Sequence, residues 1–401
     1  MCSHALPAGV AGCHAIQLLN PAANWHGSHL VGDPGAKPEH PGKGPGKEPT
    51  PEEPKTPAGY WPEELQSAYV LTQYSSNNGA GQTVAIIDAY DDPYAEADLN
   101  AYRSRFGLGE CTSANQCFTK VNQEGGSTPP SANTSWSEEI SLDLDMVSAI
   151  CPHCKILLVE ASSATFADLG KAVNEAVTLG ANAVSNSYGG SEFSEEIKAD
   201  SYYDHAGVAI TASSGDGGYG VEYPAASPFV TAVGGTTLTG SLEKGWSQTV
   251  WSGSGAGCSA VEPNPGWQPV TSQCARRTVA DTSADANPNT GVAVYDSYGT
   301  TSEWLVFGGT SVASPIVASV YALAGNTGEF KGNSAQRLYG ASLNKVESGT
   351  DLNPRRCGED YLCNAKASLT YWTASLSEFD IAKGWYNGPT GNGTPNGIAG
   401  F

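Results

Sequence analysis

Gly308-Gly309-Thr310-Ser311-Val312-Ala313-Ser314-Pro315-Ile316-Val317-Ala318 carries a glycine turn straight into an apolar, helix-forming run. A serine at such a junction has its hydroxyl at a helix N-terminus, where free backbone N–H groups and the positive end of the helix dipole face any charge developing on a bound group. The competing reading is an ordinary serine N-cap, which most Gly-Thr-Ser strings would satisfy. The first reading makes Ser311 a candidate nucleophile.

Upstream of this turn, short β-type apolar runs recur at residues 83–88, 156–159, 183–187, 208–213 and 229–233. Helix-spaced stretches at 139–150 and 167–179 separate them. Alternation of this kind predicts an α/β fold with a doubly wound, mostly parallel sheet and helices on both faces. In such sheets reactive groups gather at the carboxyl ends of the strands.

A serine hydroxyl is a poor nucleophile until a base takes its proton. Of the seven histidines, His4, His14, His26, His29 and His40 lie early in the chain, in or before a polar stretch, and are expected to be solvated. His153, between Cys151 and Cys154, and His205, before an apolar run, are expected to be structural. A carboxylate base is available in Trp136-Ser137-Glu138-Glu139-Ile140-Ser141-Leu142-Asp143-Leu144-Asp145. Glu139 and Asp143 are four residues apart, so a helix stacks them on one face, where like charges repel and favour a shared proton. An exposed acidic helix face explains the same pair without chemistry. Asp145 falls off the shared face, and Glu138 has no acid four residues on. Ala212-Ser213-Ser214-Gly215-Asp216-Gly217-Gly218 runs a strand into a glycine turn that presents Asp216 at the sheet edge, although an aspartate beside glycine is also common in plain turns.

The extended Gly-Thr-Ser-x-Ala-Ser-Pro pattern resembles the nucleophile helix of subtilisin and sedolisin peptidases. No His-Gly-Thr-His segment of the subtilisin type is present, whereas the Glu139/Asp143 helix followed by Ala149-Ile150-Cys151-Pro152 looks like that of the sedolisins, the serine-carboxyl peptidases. Tyr223-Pro224-Ala225-Ala226-Ser227-Pro228 and Val233-Gly234-Gly235-Thr236 add to the likeness, which runs from about residue 60 to 401 and is diffuse at 123–134 and 239–294. The resemblance implies a subtilisin-like fold and peptide hydrolysis through an acyl-enzyme on Ser311. It makes Glu139 the general base, Asp143 its partner and Asp216 the oxyanion group. A carboxyl donates a hydrogen bond only when protonated, so the same assignment implies activity at acid pH.

Three features depart from the family pattern. Asp88 and Tyr188 stand where a glutamate and a tryptophan often extend the carboxyl network. The family's calcium site looks degraded: Asn387 replaces the second aspartate, Lys345-Val346 occupies the expected place of the first, and Asp380-Ile381 lies too near the end. Weak or absent calcium is the expectation, with no cofactor for the chemistry. In place of the usual large prodomain there is a cysteine-containing leader at 1–25 and a Pro/Gly-rich linker at 26–59, leaving 60–401 as the peptidase domain.

Acidic residues outnumber basic ones 41 to 20, for a formal charge of −21, which argues against nucleic acid and anionic membranes as partners. Ten cysteines fall into five close couples: Cys2 and Cys13, Cys111 and Cys117, Cys151 and Cys154, Cys258 and Cys274, Cys357 and Cys363. Local disulfides and an oxidising, extracellular setting follow, with secretion expected although Met1-Cys2-Ser3-His4 opens no signal peptide. A metal or redox use of Cys151-Pro-His-Cys154 would need a second ligand pair, which is missing. A monomer acting on protein or peptide substrate is expected. The alternatives are a histidine-dependent subtilisin and an inactive peptidase scaffold used for binding.

Overall fold

The computed structural model describes residues 6–19, 21, 25–26, 29–30, 57–300, 302–329, 333–352, 357, 360–374 and 381–401. Most of the 26–59 linker, with Cys2, His4, His40 and Asp380, lies outside the described residues.

The centre is an eight-stranded sheet. Across it run Gly245–Val250, Thr231–Ser241, Ala209–Ser213, Ala183–Asn186, Thr83–Ala89, Lys155–Ala161 and Phe118–Asn122, with Thr282–Asp285 also pairing onto Thr231–Ser241. Pairing is parallel except for the edge hairpin of Thr231–Ser241 with Gly245–Val250. Successive strand side chains point to opposite faces, and the sheet buries both. Val84 and Ile86 join a core with the helices Pro62–Ala68, Thr134–Ile150 and Thr310–Ala324. Ala85, Ile87 and Ala89 join a second core with the helix Phe166–Thr178. This is the doubly wound, mostly parallel architecture the alternating pattern predicts.

Local chemistry sets the helix starts. Pro62 occupies a first-turn position, where its missing N–H costs nothing. Asn133 accepts from the Trp136 N–H at 3.2 Å and so begins the helix that carries Glu139 and Asp143. Pro315 lies inside the Ser311 helix and deprives the Ser311 carbonyl of its helical donor. The Ser187 hydroxyl lies 3.4 Å from it, with the shorter contact of that hydroxyl, 2.8 Å, made to Asp143. Ser314 bonds Ser185 and Thr211, each at 2.9 Å, which ties the first turn of the helix to two neighbouring strands.

Disulfides join Cys111 to Cys117, Cys151 to Cys154, Cys258 to Cys274 and Cys357 to Cys363. Cys13 is also disulfide-bonded, while its expected partner Cys2 lies outside the described residues. The Cys151-Pro-His-Cys154 segment is thus a closed local bridge. No helix among the described residues is long and apolar enough to cross a membrane.

The early chain corrects one expectation. His14 is not solvated: it is 3% exposed, and Ala11 and Cys13 around it are equally buried. Gly12–Cys13 pairs antiparallel with Tyr188–Ser191, and Ile16–Gln17 pairs antiparallel with Trp304–Gly308. Two sheet edges that would otherwise expose backbone donors and acceptors are thereby satisfied.

Candidate active site

The site forms where parallel strands end and the Ser311 helix begins. Ser311 is fully buried, and its hydroxyl donates to the Ser187 carbonyl at 3.3 Å. Gly309, just before it, has φ +99°, in the left-handed region, and a side chain there would collide with the His14 carbonyl oxygen and with Asp216 Oδ2. Only glycine admits that approach.

Glu139 and Asp143 lie together on the inner face of their helix, both wholly buried. Burial first, then the Asp143 charge, pushes the Glu139 carboxyl well above its usual range, while the nearby Ser311 hydroxyl and the bond from the Ala15 N–H oppose the rise. Glu139 Oε2 accepts from the Ala15 N–H at 2.9 Å, and Oε1 is buried without a hydrogen bond. Asp143 Oδ1 accepts from the Ser187 hydroxyl at 2.8 Å, and its Oδ2 is a buried orphan. Its carboxyl too is driven upward by burial, against the Ser187 bond. Asp88, from the end of the central strand Thr83–Ala89, adds a third buried carboxyl with neither oxygen bonded, raised by burial and by the charges of Asp143 and Glu139. Among the described residues no cation opposes these effects, so the three acids cannot all be ionised, and protons must be held among them. The departure at Asp88 thus leaves a carboxyl in the outer network. Tyr188, the second departure, donates to Asn186 Oδ1 at 2.7 Å.

Asp145 points elsewhere, accepting from the Tyr295 N–H at 2.9 Å, and Glu138 is only half-buried. His205 is held by Asn174 at 2.8 Å and the Tyr202 carbonyl at 3.1 Å, and His153 is exposed. Neither reaches Ser311.

Asp216 approaches from the turn after Ala209–Ser213. Its Oδ1 accepts from the Thr310 N–H and hydroxyl, each at 2.8 Å, and Oδ2 faces the Gly309 turn without a partner. Burial pushes this carboxyl up to about 6, with His14 and the Thr310 bonds pulling it down. A carboxyl with one oxygen satisfied and the other aimed into the site is placed to donate once protonated.

The sequence missed four participants: His14, Ser187, Ser213 and Glu222. His14 Nδ1 meets Ser213 Oγ at 2.8 Å, and Nε2 meets Glu222 Oε2 at 2.9 Å. A signal was present in the near-continuous apolar run Val10-Ala11-Gly12-Cys13-His14-Ala15-Ile16, which precedes the polar linker.

The calcium ligands that the resemblance implies do not fit. Asn387, fully buried, spends Oδ1 on the Thr390 N–H and hydroxyl at 3.0 and 2.9 Å and turns its amide donor to the Val346 carbonyl at 3.3 Å. An N–H aimed at that carbonyl takes the place a cation would need. Among the described residues no group of three or more His, Cys, Asp or Glu side chains could hold a metal.

A serine at the mouth of a helix, at the carboxyl edge of a parallel sheet and beside buried carboxyls, is the arrangement of a subtilisin-like scaffold. The chain belongs to the subtilase family, whose profile matches residues 125–353, and its relatives place it among the sedolisins. It is 32% identical to kumamolisin of Bacillus sp. (strain MN-32) over 300 residues, 66% of this chain and 52% of that protein. To sedolisin of Pseudomonas sp. (strain 101) it is 37% identical over 142 residues, 29% of this chain and 24% of that protein. The solved structure of Pseudomonas sedolisin, a serine-carboxyl proteinase complexed with two molecules of pseudo-iodotyrostatin, superposes with a TM-score of 0.67 at 26% identity, covering 85% of this chain and 96% of that one. The chain spans about half the length, or less, of the curated relatives it matches.

Proposed function

We propose that this chain is an acid-acting, secreted serine-carboxyl endopeptidase. The observation that carries the reading is buried Ser311 beside the buried Glu139 carboxyl, which shares its field with Asp143 and Asp88, together with Asp216 held on Thr310, the residue before Ser311. Glu139 takes the Ser311 proton as Oγ bonds to the substrate carbonyl carbon. Asp143 orients Glu139 and shares its proton. Protonated Asp216, with backbone N–H groups at the helix start, donates to the developing oxyanion. Glu139 then gives the proton to the leaving amine as the C–N bond breaks, and repeats both steps with water to release the acyl group.

The pH sense follows from Asp216. Its carboxyl, pushed up to about 6, donates below that pH and repels an oxyanion above it. Cleavage of a denatured protein should be confined to acid over about pH 3 to 8 and be abolished by Ser311→Ala and by Glu139→Ala. A folded wild type silent at every pH would instead favour an inactive scaffold, and activity peaking near neutrality and surviving Glu139→Ala would overturn the base.

A further inference from the structure

Four carboxyls meet beside the strand Tyr188–Ser191. Glu192 follows that strand directly, Glu196 and Asp200 lie on the short helical stretch after it, and Glu262 comes from the strand Gly257–Pro263. Glu196 and Glu262 are fully buried, and Asp200 is buried with them. Glu192 reaches across to the second strand, accepting from the Ser259 hydroxyl and, at 2.9 Å, from the Ala260 N–H. Glu196 Oε2 accepts from the Phe193 N–H at 2.6 Å, and Asp200 Oδ1 accepts from the Tyr223 hydroxyl at 3.3 Å.

The remaining oxygens lack a donor. Glu196 Oε1 and both oxygens of Glu262 are buried and receive no N–H or hydroxyl. What faces them is carboxyl: Glu192 stands against Glu196, Glu196 against Glu262, and Glu262 against Asp200. Two ionised carboxyls in such contact repel, whereas one proton between them makes a hydrogen bond, so the row closes only with protons in it. Burial, first among the causes, pushes Glu196 and Glu262 up to about 8 and Asp200 to about 6. The cation that acts on Asp200 is Arg277, whose guanidinium is already bonded to Asp281 at 2.6 and 2.5 Å. Tyr223 and, edge-on to it, Tyr203 complete the surroundings, while Glu195 and Lys198 are exposed and Glu222 faces His14.

The two strands joined by this row both lead back to the candidate site. Tyr188–Ser191 follows Ser187, whose hydroxyl bonds Asp143, and it pairs with Gly12–Cys13 and with Glu222–Tyr223. An extended chain at Gly12–Cys13 is thus held on it by backbone pairing, the way a sheet edge holds a peptide. Gly257–Pro263 follows Gly255, whose N–H bonds the carbonyl of Gly215, the neighbour of Asp216, at 2.7 Å. A change in the spacing of these strands would be felt on both sides of Asp216.

We propose that Glu192, Glu196, Glu262 and Asp200 are positioning residues, a proton-held joint that fixes the strands Tyr188–Ser191 and Gly257–Pro263 against each other beside Asp216 and lets them part when its protons leave. That these strands wall a peptide cleft rests on the peptidase reading above; the joint itself does not. Its sense with pH is set by carboxyls that bind protons more tightly folded than unfolded. The hold is complete near pH 4, below the ordinary carboxylate range, and is lost as pH rises through about 8. Asp216, at about 6, loses its proton earlier. Rising pH therefore acts twice, first on the oxyanion group with the strands in place and then on the strands.

The test is amide hydrogen exchange, read by mass spectrometry on the full chain carrying Ser311→Ala, at steps from about pH 5 to 9 and corrected for the intrinsic exchange rate. Protection of residues 188–200 and 257–263 is expected to fall by about ten-fold or more between about pH 6 and 9, while Thr83–Ala89 and Thr310–Ala324 change by less than about three-fold. Glu196→Gln combined with Glu262→Gln supplies amides that donate without titrating, and the fall should then shrink to less than about three-fold. Should the pair not fold, either single change is expected to give a smaller fall than the parent chain. Protection that does not fall, that falls equally in all four segments, or that falls just as far in the glutamine variants overturns the inference. The expected exchange together with a wild type that cuts no protein at any pH supports the joint and removes the peptidase reading.

Discussion

At the residue scale, the site separates acids that look alike in the chain. Glu138, Glu139, Asp143 and Asp145 lie within eight residues, yet Glu139 and Asp143 share the inner helix face, while Asp145 turns to the Tyr295 backbone. The i, i+4 spacing puts Glu139 and Asp143 on one face and Asp145 off it, and the family resemblance marks that face as the one with chemistry. Asp216 offers the sharpest residue-level prediction. Asp216→Ala should lower kcat by about a hundred to a thousand-fold, the usual cost of one oxyanion donor. Asp216→Asn keeps a donor that does not titrate, so its remaining activity should persist to higher pH than that of the wild type. A pH profile of kcat for the three proteins checks this, and an unchanged alkaline limb in Asp216→Asn would remove Asp216 from the oxyanion role.

Among the elements, the turn into the Ser311 helix is the part least open to change. Gly309 combines φ +99° with a position where any Cβ would strike the His14 carbonyl oxygen. Gly309→Ala should cost about 1–3 kcal/mol from its glycine-only backbone conformation alone, and it should also close the space in which a substrate carbonyl lies. The expected result is a modest fall in Tm together with a much larger loss of kcat/KM. A variant that lost stability while keeping kcat/KM would show that the carbonyl does not pass over this glycine. The neighbouring motif residues have separate duties: Ser314 ties the helix to two strands, and Pro315 leaves the Ser311 carbonyl without its helical donor. The Ser-x-x-Ser-Pro spacing is thus partly chemistry and partly anchorage.

Across the whole molecule, buried carboxyls recur well beyond the site. Glu196, Glu262 and Glu160 are each pushed up to about 8, and Asp296 to about 7, all chiefly by burial. Lys120 opposes the rise at Glu160. Each such group binds its proton more tightly folded than unfolded. Its stabilising contribution is complete below the ordinary carboxylate range near pH 4 and is lost as pH rises through the folded value. Thermal stability should therefore be greatest near pH 4 and fall steadily toward about pH 8. Calorimetric Tm values rising over that interval would contradict the assignment of these acids as protonated in the fold. The excess of 41 acidic over 20 basic residues works in the same direction, since self-repulsion grows as they ionise.

The α/β class is written in the chain as alternating strand and helix spacing, and the candidate groups show as a glycine before an apolar helix, carboxyls four apart and an aspartate between glycines, although that spacing equally fits a serine cap, an acidic helix face and a plain turn and only the family resemblance separates the readings. So are the cysteine couples at 111–117, 151–154, 258–274 and 357–363, whose short loops leave little else within reach. What surrounds these groups is a matter of the folded arrangement alone. That Asp88 sits beside Asp143, 55 positions along the chain, comes from strand order. That His14 is buried against Glu222 and Ser213 depends on two sheet edges that take up residues 9–18, and edge pairing across some 200 residues leaves no periodic trace in the sequence.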